Sequence, residues 1–252
     1  MRTEEFAYAL PDISGTTTLG VELARIGYLG KVAASYRQNP LSVHYELHIE
    51  QHTRLEKANK VAGIVNYIQG IRWYQASVTG TQAHAGSTPM DQRADAMVAA
   101  AKMVVILESI ANKRHGFATV GKISGKGMSS NTISGAVMFT IDLRHSSEHT
   151  LDAMESEMKE AMVGFTSSNP KLVFEVEKVW ESPAAKMDVL AMDCLRAAAK
   201  KEVGPDNVLE LMSFAGHDSA LTATKIPTAM LFVPSKDGIS HAPTEYTSKK
   251  HW

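Results

Sequence analysis

Four histidines lie where a strand ends or a small-residue loop turns, the positions at which open α/β sheets gather their ligands. His48 closes the segment YELHIEQ. There Val43, Tyr45, Leu47 and Ile49 fall on one side of a strictly alternating strand, and His44, Glu46 and His48 on the other. A neutral imidazole is a good zinc ligand, and a nearby carboxylate can orient it through its second ring nitrogen. His241 follows the apolar run TAMLFV inside VPSKDGISHAPTE, where Pro, Gly and Ser make a shaped loop. His217 sits in FAGHDSA at a helix start, and His84 in TGTQAHAGSTPM, where small residues let backbone approach a ligand and a ring N–H can meet an oxyanion. Arg144 ends VMFTIDLR and Asn131 precedes that strand; an arginine fork with an amide recognises a carboxylate. Taken singly, each has a plainer reading: a solvated edge strand, a turn histidine, a structural loop, or an ion pair of Arg144 with Asp142 or Glu148.

Other chemistries lack their residues. There is no phosphate-cradling GxxxxGK[ST], no GxGxxG after a strand, no GxSxG and no CxxC. Cys194, the single cysteine, falls within the helix VLAMDCLRAAAK and reads as a small buried hydrophobe; alone it excludes an internal disulfide and suits a reducing, cytoplasmic setting. With 26 Lys+Arg against 27 Asp+Glu there is no broad field for nucleic acid or anionic lipid. No apolar run reaches membrane-spanning length, since Lys102 interrupts the best one, and the first residues lack a secretory pattern.

The elements that must position these side chains follow from periodicity. Residues 18–27 predict a short helix stopped by Gly27, then strands over 43–49 and 61–68 with a break at Gln69-Gly70. From Trp73 the order is strand (73–78), helix (91–112), strands (117–123 and 136–143), helix (146–165) and strand (171–179), the split βαβ pattern of ferredoxin-like folds. A helix over 188–202, a strand over 208–212, a short helix after His217 and a strand over 228–233 complete an α/β fold. Residues 72–181 then form an insert in a domain made of 1–71 and 182–252.

Taken together, ELHIEQ, AHAGSTPMDQRADAM, ATVGKI, NTISG with IDLR, AGHDSA and AMLFVPSKDGISHAPTE resemble, in order, the M20-like metal-dependent amidohydrolases. The nearest branch is that of N-carbamoyl-L-amino acid hydrolases, β-ureidopropionases and allantoate amidohydrolases, and the resemblance runs from about Arg25 to Thr247. It implies a partial zinc-peptidase-like α/β catalytic domain with an inserted ferredoxin-like βαββαβ dimerisation or lid domain, and a homodimer built through that insert. By position His48 and His241 resemble metal ligands, for zinc or alternatively manganese or cobalt, two ions per site in the intact family. His84 resembles the oxyanion-stabilising residue, and Asn131, Arg144, Gln51 and His217 the binding residues for a small carboxylate substrate.

In the family an upstream segment supplies a histidine, a bridging aspartate and an adjacent glutamate pair that includes the general base. No such segment precedes His48, and Glu4-Glu5 stands in the wrong context. The chain also stops soon after its last motif, at His251-Trp252; His52 stands where glycine usually follows HIEQ, and Ser134 where proline is common. The expectations are therefore a fragment or degenerate copy, a sheet edge and apolar faces left uncovered, and Glu46, Glu50 and Asp218 as the carboxylates available to replace the missing ones. The functions to separate are a hydrolase of linear C–N bonds in N-carbamoyl or ureido acids, a catalytically incomplete dimerisation or binding module, and an M20-type peptidase or aminoacylase.

Overall fold

The structure, a computed structural model, describes residues 8–11, 15–31, 37–38, 40–125 and 129–251. Glu4, Glu5 and Trp252, which entered the sequence reading, lie outside the described residues. The chain forms two units, Met1–Val43 and His44–Trp252.

In the first unit the predicted helix is α1 (Leu19–Arg25). Thr18 caps it, its hydroxyl accepting from the Val21 N–H, and Gly27 follows the end at φ 77°, a left-handed conformation that glycine adopts without steric cost.

In chain order the second unit runs β1 (His44–Ile49), α2 (Arg54–Lys57), β2 (Ala62–Ile68), β3 (Gly70–Thr79), β4 (Ala83–His84), α3 (Ala96–Arg114), β5 (Phe117–Thr119), β6 (Ile123–Gly125), β7 (Thr132–Ile133), β8 (Ala136–His145), α4 (Glu148–Ser168), β9 (Val173–Ser182), β10 (Ala185–Lys186), α5 (Val189–Val203), β11 (Val208–Ser213), α6 (Asp218–Thr222) and β12 (Thr228–Val233).

One sheet has the order β1-β12-β2-β10, with β11 also paired to β2. Strand β2 (AGIVNYI) is apolar on both faces and buried along most of its length, as a central strand requires. Ile64, Val65, Ile68, Leu211, Met230 and Phe232 pack there with Ala191, Met192 and Ala199 of α5. Gly63 is needed for close approach: a Cβ at that position would stand 2.8 Å from Leu211 Cδ2. Among the described strands β1 pairs only with β12, so it is an edge, and Tyr45 and Leu47 on its apolar side remain 47% and 46% exposed. Cys194 is exposed, which corrects the expectation of a buried thiol. It falls off the buried stripe of α5 and meets the phenol of Tyr45 on this uncovered side.

The second sheet is antiparallel, with the order β5-β8-β3-β9 and β6 also on β8. This is the strand order expected of the split βαβ pattern. Its core joins Tyr74, Ala76 and Val78 of β3 and Phe139, Ile141 and Leu143 of β8 to Met103 and Leu107 of α3 and Met154 and Met158 of α4. The strand expected over 117–123 is interrupted: the backbone N–H and the hydroxyl of Thr140 engage Lys122 at the break. Helix α3 starts at Ala96 rather than Asp91, because Asp95 caps it by accepting from the Met97 and Val98 N–H groups.

Gln69 is the single residue between β2 and β3, and it fastens the crossing between sheets: its backbone N–H donates to the Ser213 carbonyl and its side chain to that of Phe214. Beside this crossing, the Arg72 side chain, 9% exposed, donates to Glu148, Asp152 and Glu155 at 2.7–2.9 Å, and Glu155 also accepts from the Tyr74 hydroxyl.

Candidate active site

His48 and Gln51 come from the end of β1 and the turn after it, and His241 from the loop after β12. Because β1 and β12 are parallel and in register from His44↔Thr228 to Ile49↔Val233, both strands deliver their loops to the same end of the sheet. An open cavity of about 530 Å³ is lined there by Leu47, His48, Gln51, His241, Glu245 and Tyr246. Gln51 and His241 both hold left-handed backbone, at φ 57° and 56°, a sparsely populated conformation for side-chain-bearing residues. Two carried-in acceptors hold these turns. The Gln51 N–H donates to the buried Ser235 hydroxyl, and the His241 N–H to the Glu245 carboxylate, each at 2.9 Å. Gln51 Nε2 lies 3.4 Å from His241 Nε2.

His217, which precedes α6, also packs against His48, with ring centroids 4.6 Å apart in an edge-on arrangement. Glu46, His48 and His217 each bring one ligand atom within 4.8 Å of the others. Burial, helped by the neighbouring His48, pushes the His217 imidazole down to about 4, so near neutral pH it is uncharged and its lone pair is available. The Nδ1 of His217 is buried and has no hydrogen-bond partner among the described residues. Two imidazoles, one of them neutral with an orphaned nitrogen, beside a carboxylate suit a divalent metal of the zinc type. The donor set thus fits the ion that the resemblance implies.

The three carboxylates available as substitutes differ. Glu50 is consumed: its buried side chain accepts from the backbone N–H groups of Arg54 and Leu55 and from the Arg54 guanidinium, so it serves α2 rather than chemistry. Asp218 is exposed at the first position of α6. Only Glu46 joins the histidine group.

The remaining predicted residues lie on the second layer. His84 of β4 and Thr132 of β7 are cross-strand partners in a two-stranded ribbon, which brings Asn131 beside His84. His84 Nδ1 accepts from the Gly86 and Ser87 N–H groups, so the neutral ring carries its proton on Nε2, where it is a donor. The Asn131 carbonyl oxygen accepts from the Ser129 hydroxyl, which leaves the amide NH₂ as the recognition end. Arg144, at the end of β8, forks onto Asp142 at 2.8–3.2 Å, the ion pair weighed as its plainer reading. It also donates through Nη1 to the Phe214 carbonyl at 3.1 Å, in the segment leading to His217. Among the described residues, no hydrogen bond or ring contact joins His84 or Asn131 to the His48 group. Ser213, Ser235 and Glu245, which hold the site's side chains or turns, were not singled out by sequence; Glu245 alone had a local signal, four residues after His241 in SHAPTE.

Fold and site together define an α/β protein whose strand-end cleft gathers imidazoles and carboxylates. Residues 22–252 match Peptidase family M20/M25/M40, and the chain belongs to that family. It is 34% identical over 252 residues to an N-carbamoyl-L-amino-acid amidohydrolase of Rhizobium meliloti, covering 99% of this chain and 59% of that protein. It is 33% identical to the allantoate amidohydrolase of Bacillus subtilis, covering 88% of this chain and 53% of the relative. A crystal structure of a hydantoinase/carbamoylase-family amidase from Burkholderia multivorans superposes with a TM-score of 0.85 at 36% identity, over 98% of this chain and 59% of that one. The chain thus spans between half and three-fifths of the length of these relatives.

Proposed function

We propose that the protein takes part in metal-dependent hydrolysis of a linear C–N bond in an N-carbamoyl amino acid or related ureido acid. The observation that carries this reading is the convergence of His48, Gln51 and His241 on one cavity, in a chain 34% identical to an N-carbamoyl-L-amino-acid amidohydrolase. His48 and His241 would hold the metal, zinc in the first instance and two ions in the intact site. Such a cation polarises a carbonyl and acidifies water.

The residues of this chain supply binding and charge stabilisation. His84 donates its Nε2 proton to the oxyanion that forms when water adds to the ureido carbonyl. Arg144 and the Asn131 amide hold the substrate carboxylate, Gln51 and His217 line the cleft, and Asp142 keeps the Arg144 fork planar and aligned. Collapse of the adduct breaks the bond to the amino-acid nitrogen, which takes one proton of the water while the hydroxyl stays on carbon; the carbamic acid released then decomposes to ammonia and carbon dioxide. The reading includes a homodimer formed through residues 72–181, supported by their separate apolar core and ferredoxin-like strand order.

A second reading, a binding or dimerisation module, draws on the separate apolar core and ferredoxin-like strand order of residues 72–181. The test is a panel of N-carbamoyl-L-amino acid, allantoate, N-acetyl amino acid and dipeptide, followed for ammonia and for free amine. Ammonia from the first two supports the proposal. Amine from the dipeptide with no ammonia from the ureido acids replaces it with a peptidase. No turnover, with a stable dimer, replaces it with the module.

A further inference from the structure

His48 stands between two groups of side chains, and its ring can serve only one of them as a metal donor. Its Nδ1 lies 2.8 Å from the Ile49 carbonyl and donates to it, so Nε2 holds the single free lone pair. His241 lines the same cavity as His48, and Glu46 and His217 share a cluster of ligand atoms with it. We propose that this chain by itself binds one divalent cation of the zinc type through Glu46, His48 and His217, without His241.

The argument rests on how each donor is held. His217 Nε2 lies 2.7 Å from the Ser213 hydroxyl, which also accepts from the Ala215 N–H and directs its own proton toward the Ala215 carbonyl. In the tautomer that donates from Nε2 to this hydroxyl, Nδ1 is a bare lone pair; that atom is buried without a partner among the described residues. Glu46 has its Oε2 occupied by the Ser219 N–H, at 3.0 Å, and by the Ser219 hydroxyl, which leaves Oε1 free. Each of the three ligands thus has one polar atom fixed by an outer hydrogen bond and one atom uncommitted. Metal-binding histidines and carboxylates are oriented by outer partners of this kind.

One ligand atom of each of the three residues lies within 4.8 Å of the others, so side-chain rotations can bring the uncommitted atoms together at coordination distance. His241 is differently placed: it is exposed, and the Gln51 amide nitrogen sits 3.4 Å from its Nε2, where a cation would have to be. Two imidazoles and one carboxylate favour zinc, cobalt or copper over magnesium or calcium, and three protein ligands leave a position open for a small molecule. His44, next along the same strand face, is 3.8 Å from Glu46 and stands outside the donor set. The proposal shares His48 with the hydrolase reading but gives its ring to Glu46 and His217 in place of the pairing with His241, and its test does not depend on turnover.

The test uses the whole chain, zinc ion alone as the probe, and two independent readouts. Equilibrium dialysis with elemental analysis should give one zinc per chain. His217→Ala, His48→Ala and Glu46→Gln should each weaken Kd at least tenfold, while His241→Ala stays within about twofold. Ser213→Ala, which removes only the outer partner of His217, should weaken binding by about 10–100-fold. On the unaltered protein, ring ¹⁵N resonances of His48 and His217 should shift on zinc addition and those of His241 should not, so the result survives a variant that fails to fold. No retained zinc, zinc binding unaffected by His217→Ala and Glu46→Gln, or a His241 shift without a His217 shift overturns the proposal. One retained zinc with no turnover of any substrate upholds it while counting against the hydrolase reading.

Discussion

Replacing Arg72 by Met should unfasten the point where the chain crosses between its two sheets. The guanidinium is nearly buried and meets three carboxylates within hydrogen-bond reach, but these partners are unequal. Glu148 and Asp152 are 43% and 66% exposed, so water can replace most of what they lose, whereas Glu155 is 14% exposed. One charge-assisted bond to a buried group is worth about 1.5–3 kcal/mol, and each exposed pair about 0.2–1 kcal/mol. The sum is a loss of about 2–5 kcal/mol, a fall in Tm on the order of 4–20 °C for a chain of this size.

The effect has a pH signature. Burial works against ionisation of Glu155, but hydrogen bonds from Lys159 and Tyr74 outweigh it and hold its carboxyl at about 2. Its contribution is therefore present in full above the ordinary carboxylate range and fades as pH falls from about 4.5 toward 2. Without Arg72, Glu155 loses one of the donors that favour its charged form, and its folded-state pKa rises from about 2. The gap between variant and parent therefore narrows as pH falls from about 4.5 toward 2. Trp73 and Trp180, tilted against each other with ring centroids 4.6 Å apart across β3 and β9, make the fluorescence of this sheet a direct reporter of urea unfolding. A loss below about 1 kcal/mol, or a gap between variant and parent that ignores pH, refutes the reasoning.

Three further outcomes follow from particular contacts. Arg144→Ala should raise KM for carboxylate substrates by roughly 10–100-fold, the equivalent of one charge-assisted hydrogen bond, and Arg144→Lys should recover little because the fork onto Asp142 is lost; unchanged kinetics would remove Arg144 from the site. Gly63→Ala should cost about 1–3 kcal/mol in urea denaturation, because the new methyl meets Leu211, Leu55 and Phe232 at once. Cys194 should react with a thiol reagent in the native protein without prior unfolding, and a thiol protected until the unfolding transition would contradict its exposed position.

Where an element declares itself locally, sequence was enough. Strand β12 is an apolar run bounded by Pro227 and Pro234, and it spans the residues expected. The split βαβ order was legible because α3 and α4 carry clear helical periodicity between alternating strands. What depended on distant partners was not. The interruption between β5 and β6 is set by Thr140, and Cys194 is exposed because nothing described covers the outer side of β1. In the site, the convergence of His48 and His241 could be anticipated from strand ends. The hydroxyl of Ser213 beneath His217, the loss of Glu50 to the start of α2, and the hold of Ser235 on Gln51 could not, since each joins residues with no common local pattern.

The central claim, that the cavity bearing His48 is where a ureido carbonyl is cleaved, is tested most directly with an N-carbamoyl-L-amino acid carrying ¹³C in the ureido group. With metal-loaded protein, ¹³C NMR should show the label passing to bicarbonate, and the same preparation of His48→Ala should leave it in place. A label that stays in the ureido group with the parent protein, or that is released equally by His48→Ala, would contradict the account.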